Sequence, residues 1–81
     1  MIELQKGDLV RSTAGHDKGA LLLVIEVAGD RAAVADGRTR KLSKPKEKNR
    51  KHLRFVGRTG LAGLPESDAT VRALLARFAT E

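Results

Sequence analysis

ALLLVIEVAGDRAAVADGRTRKL, residues 20–42, decides the fold. Ala20 to Val27 is almost continuous in apolar side chains, and the run is too short and too β-branched at its end to favour a helix. A strand apolar on both faces must be covered on both. Gly29-Asp30 follows as a tight hairpin turn, and residues 31–36 return with Ala32 and Val34 on one face, Ala33 and Ala35 on the other. Asp36-Gly37 is a second hairpin signal of the type I′ kind. It predicts a further strand over 39–43, with Arg38, Arg40 and Leu42 sharing a face. Two successive hairpins make an antiparallel meander.

Upstream, Lys6-Gly7-Asp8 is a turn leading into a short strand over 8–12. A loop with glycines at 15 and 19 then enters the apolar strand, and glycine there permits positive φ or close backbone approach. Downstream, Pro45 interrupts regular structure, and residues 46–51 are too polar for a core element. His52-Leu53-Arg54-Phe55-Val56 resumes alternation and predicts a closing strand over 53–57. Gly57, Gly60 and Gly63 lie in or beside a connector over 59–66. Ser67 is placed to cap a helix over 67–80, with Asp68 favourable at its positive end. In that helix Val71, Leu74, Leu75 and Phe78 fall on one apolar stripe. So short a helix needs a partner surface, its own sheet or another molecule.

Charge is distributed unevenly. The formal net charge is +6, yet residues 38–58 (RTRKLSKPKEKNRKHLRFVGR) hold ten of the 16 Lys/Arg and one of the ten acids, Glu47. The remainder of the chain is therefore net negative. Cations packed this densely gain free energy when a polyanion displaces their counterions. A solvated lysine-rich loop is the plain alternative. Against it, Leu42, Leu53, Phe55 and Val56 interrupt the run and can anchor it to a core. A basic loop over 43–52 is the expected binding segment.

The chemistry on offer is narrow. Cysteine is absent, as are Trp and Tyr, and there are two Phe. This excludes thiolate metal sites and disulfides and leaves little for base stacking on aromatic platforms. The carboxylates show no metal-ligand spacing, AGHDKG lacks the phosphate-binding P-loop pattern, and His16 and His52 stand alone. No catalytic site, metal or cofactor is expected. The longest apolar run is six residues, against roughly 18–20 for a bilayer span. MIELQKGD carries no signal-peptide pattern, so a cytoplasmic protein is expected.

KGDLVRSTAGHDKGALLLVIEV, residues 6–27, resembles the KOW motif: a strand entered through Gly-Asp, a Gly-x-x-Lys-Gly loop and a hydrophobic strand. ADGRTRKLSKPKEKNRKHL extends the likeness to bacterial KOW-type RNA-binding proteins related to the archaeal and eukaryotic KOW large-subunit ribosomal proteins. There an Asp-Gly turn precedes a basic Arg-Lys-Leu strand, a Lys-Pro-Lys loop and a Lys-His-Leu segment. Here these are Asp36-Gly37, Arg40-Lys41-Leu42, Lys44-Pro45-Lys46 and Lys51-His52-Leu53. Many KOW motifs carry another glycine where this chain has Leu22, which points to the ribosomal-protein-like branch. The resemblance implies a mainly β fold, a small SH3-like β-barrel over 1–58, to which the sequence adds a C-terminal α-helix.

The resemblance also implies non-catalytic RNA binding, to ribosomal or another structured RNA in translation, with the large ribosomal subunit a candidate partner. The KOW loop and the basic loop would lie on the RNA side. Together with the charge pattern it marks His16, Lys18, Gly19, Arg38, Arg40, Lys41, Lys44, Lys46, Lys48, Arg50, Lys51, His52 and Arg54 as RNA-binding residues. Two alternatives stand beside it. The helix stripe could dock a protein partner, making the chain an adaptor, or the basic segment could bind any polyanion.

Overall fold

The computed structural model describes residues 3–60 and 63–79. Residues 1–2 of the expected barrel, 61–62 of the connector and 80 of the expected helix lie outside that set. Five strands form one antiparallel sheet in the order β4-β3-β2-β1-β5. They are β1 (Asp8–Ser12), β2 (Leu21–Ala28), β3 (Arg31–Ala35), β4 (Lys46–Asn49) and β5 (Leu53–Arg58), and α1 (Asp68–Ala79) follows. The two edge strands are consecutive in sequence, joined by a 3₁₀ turn over Arg50–His52.

Both faces of β2 are covered, as its composition predicts. Leu22 and Val24 pack with Leu4, Val10, Ala32 and Val34 in one cluster, with Leu53 and Phe55 against it. Leu23 packs with Leu9, Val71, Leu74 and Leu75 in the other, with Leu21, Ile25, Leu42 and Phe78 against it. The helix stripe is thus buried on the chain's own sheet. A bulge keeps β2 in phase: Val24 pairs Val34 and Glu26 pairs Ala33, leaving Ile25 as the extra residue. Glu26 therefore stays exposed while Val27 rejoins the face of Val24. In β5 the register shift between Leu9 and Val10 makes Val56 the extra residue, and its side chain is exposed.

The expected strand over 39–43 does not form, and Asp36-Gly37 does not turn a hairpin. The Asp36 carboxylate accepts from the N–H groups of Arg38 (2.8 Å) and Arg40 (2.9 Å). The Arg40 carbonyl accepts from the N–H groups of Asp36 and Gly37, and the Leu42 N–H donates to Asp68 Oδ1 at 2.8 Å. Backbone groups that a ladder would need are spent on a local side-chain-closed loop and on the helix. The fourth strand lies instead at Lys46–Asn49, inside the segment read as a basic loop, where Ala32 pairs Lys48 and Val34 pairs Lys46. An edge strand needs backbone pairing on one side only, so its side chains can be wholly polar.

α1 is capped as expected, the Thr70 N–H donating to Ser67 Oγ at 3.2 Å. Its first turns are fastened to the loop after β3, for Arg72 Nη1 donates to the Gly37 carbonyl at 2.6 Å. Gly37 is buried there with φ +79°, and a Cβ on it would lie 2.5 Å from the Asp68 carbonyl oxygen, 2.9 Å from Arg72 Cγ and 3.2 Å from Val71 Cβ. Gly19, at φ +89°, has nothing within 4 Å of its Cβ position among the described residues. Gly37→Ala is therefore expected to cost the left-handed strain plus overpacking against the helix, together about 2–4 kcal/mol, whereas Gly19→Ala costs about 1–2 kcal/mol. At about 4–8 °C per kcal/mol for a domain of this size, thermal melts separate the two variants. Equal melting temperatures would refute the seating of the helix on Gly37.

Candidate nucleic-acid interface

The loop over 13–20 is closed on itself and fastened to the basic segment. Gly15 and Gly19 take φ +84° and +89°. The Lys18 N–H donates to the Gly15 carbonyl, Gly19 N–H to Ser12 and Ala20 N–H to Asp17. Two long-range ties then reach across. The Thr13 N–H donates to the His52 carbonyl at 2.9 Å. Lys48 Nζ lies 2.7 Å from Asp17 Oδ1 and 3.2 Å from the Ala14 carbonyl. The Ser12 hydroxyl donates towards Ala14 O (2.8 Å) and Asp17 Oδ1 (3.2 Å).

This pair belongs to the interior, the Lys48 and Asp17 side chains being 9% and 17% exposed. Burial, the largest influence on Asp17, raises its pKa. The Lys48 hydrogen bond and charge, the loop's own backbone and Ser12 outweigh it, leaving the pKa below the ordinary 3.8. Lys48 is thus taken inward, although the sequence marks it among the outward cations. Arg50 is engaged too, with Gly29 O (3.1 Å) and Glu3 Oε1 (3.2 Å).

What the clamp leaves outside is a strip of cations. Lys46, Lys51 and half-buried His52 border a shallow depression of about 380 Å³ on β4 and the 3₁₀ turn. His16 and Lys18 are exposed on the loop fastened beside it. Arg54, exposed on β5, stands directly opposite Arg11 on β1, while Arg11 Nη1 donates to the Gly19 carbonyl at 2.9 Å. Like charges opposed across an antiparallel pair are unfavourable unless an anion lies between or beside them. Neither has a carboxylate partner among the described residues.

A second group sits on the loop between β3 and β4. Arg38, with Arg72 of α1, lines a recess of about 280 Å³ that also involves Ala20, the residue after the glycine loop. Arg40 is half-buried and its Nε has no hydrogen-bond partner among the described residues. Lys41 and Lys44 are exposed, and no bond ties them to the 13–20 loop. Charge density along the sequence does not single out Arg11 and Arg72, because each lies outside the basic run. Arg11's position in β1, facing the run's Arg54, is the signal that pairing β1 with β5 would have supplied.

No protein-family model matches the chain, and no curated protein matches it. The arrangement must therefore be judged on its own chemistry. It offers fixed cations and exposed backbone at one junction, which suits an extended polyanion.

Proposed function

We propose that this chain is a non-catalytic RNA-binding module of the KOW type, an SH3-like barrel with an added helix, that grips the backbone of a structured RNA in the cytoplasm. The observation carrying this reading is the clamp of the 13–20 loop onto β4 and the 3₁₀ turn, which ties the loop bearing His16 and Lys18 to the elements bearing Lys46, Lys51 and His52. The strand order, with the two edge strands consecutive in sequence and bulges in central β2 and in edge strand β5, supports the barrel. RNA of the large ribosomal subunit is the first candidate ligand, on the resemblance alone. The adaptor alternative is weakened because Val71, Leu74 and Leu75 are already buried against the sheet.

Competition among a structured RNA, duplex DNA and heparin tests the reading. RNA should displace a bound RNA probe at the lowest concentration. Equal displacement by all three would replace it with general polyanion binding. Within this reading Lys18→Ala removes one point charge from the interface. It is expected to weaken RNA binding by about 1 kcal/mol and lower the salt slope by about one. If titrations at several salt concentrations show neither change, the glycine loop is scaffold and binding belongs to the basic segment.

A further inference from the structure

Next to the basic strip lies a recess of about 850 Å³ whose apolar walls are Leu4, Leu53 and Phe55. Its polar rim sets the carboxylates of Glu3 and Asp30 against Arg50, Lys51 and Arg54. Lys51 lines both this recess and the depression bordered by Lys46 and His52, so the two share a wall. Arg54 and Lys51 are exposed here with no carboxylate partner among the described residues. Arg50 is held back by Glu3. Each of the two aromatic rings in the chain packs against a core cluster, Phe78 beneath α1 and Phe55 on the opposite face. The Arg58 guanidinium lies 5.7 Å from the Phe55 ring centroid, and Phe55 also lines this recess.

We propose that the recess receives one unpaired, extrahelical nucleotide of the bound RNA, its base against Phe55 and Leu53 and its phosphates at Lys51 and Arg54. The proposal rests on the RNA reading above. The occupant follows from what the walls require. A phosphate alone would leave the apolar surface wet, and an aliphatic side chain would leave both cations unmet. A nucleotide carries a flat, weakly polar face and an anion within one unit, and a splayed base is what proteins read in folded RNA. The volume falls in the range of about 300–1,000 Å³ usual for small-molecule sites.

Two RNA hairpins of equal length test this, one fully paired and one with a single bulged adenosine. The bulged hairpin is expected to bind about tenfold tighter, as one base stacked on an aromatic ring supplies. It should shift the methyl resonances of Leu4 and Leu53, which the paired hairpin leaves in place. Phe55→Leu keeps the position apolar and should abolish the difference between hairpins while preserving affinity for the paired one. Should that variant fail to fold, the methyl shifts of the wild type decide. Equal affinities with unmoved methyls overturn the recess assignment and leave the RNA reading standing. Binding of neither hairpin overturns both. An acidic tryptophan-containing peptide that moves those methyls, where the bulge does not, overturns it in favour of a protein ligand.

Discussion

RNA affinity is expected to fall about a thousandfold between roughly 50 and 200 mM salt, the consequence of about six phosphate contacts. The number comes from subtracting what the fold has already used. Of the ten Lys/Arg in residues 38–58, Lys48, Arg50 and Arg58 are bonded to Asp17, Glu3 and Asp8. The other seven have no carboxylate partner among the described residues, and Lys18 joins them from the glycine loop. If about six meet phosphate, the slope of log affinity against log salt lies near −5. Fluorescence titrations at four or five salt concentrations measure it. A slope shallower than about −2 would mean that the basic strip is mostly solvated surface, and the proposal would fail.

Lys48→Ala is expected to cost about 3 kcal/mol in stability, because it strands a largely buried carboxylate. Asp17 Oδ2 already lacks a hydrogen-bond partner among the described residues, so removing the ammonium leaves that side chain only the Ser12 hydroxyl and the loop's own backbone. Lys46→Ala, two residues away on the same edge but exposed, should change stability by no more than about 0.5 kcal/mol. Denaturant unfolding separates them, and similar midpoints would overturn the interior role of Lys48. Removing both charges together with Asp17→Asn and Lys48→Met should recover much of the loss, since no charge is then stranded. The pair also sets an acid limb. Because the folded pKa of Asp17 is depressed, its contribution is complete above its unfolded value near 3.8 and is lost as pH falls through the lower folded value. In Lys48→Ala that depression is lost, and acid unfolding should begin at higher pH.

Local pattern explains which elements were legible. β2, the Gly29-Asp30 turn and α1 declare themselves through residues a few positions apart: an apolar run, a turn dipeptide, a serine cap and a stripe at helical spacing. β4 does not, because its sequence Lys-Glu-Lys-Asn forms a strand only by pairing with Ala32, Ala33 and Val34. Asp36-Gly37 misleads for a related reason. The same dipeptide serves a hairpin or a carboxylate-closed loop, and Asp68 and Arg72, far along the chain, select the loop. At the site, the run of charge was plain, but its division was not. Lys46 and Lys48 look alike in sequence, and what separates them is Asp17, thirty-one residues from Lys48.

Among the described residues β4 is an end strand of the sheet, and an unpaired edge is a template on which a second copy of a chain can add its own strand. Here that edge reads Lys46-Glu47-Lys48-Asn49 and continues into Arg50 and Lys51. Lys48 and Arg50 are neutralised within the chain by Asp17 and Glu3. Two such edges brought together would still set the exposed Lys46 and Lys51 of one against those of the other, so the strip proposed to attract phosphate also keeps the chains apart. RNA lying along it would neutralise the repulsion and cover the edge at the same time. The free protein should thus owe its resistance to aggregation to the charges that binding consumes, and concentrated salt, which screens them without covering the backbone, is the condition in which that resistance is weakest.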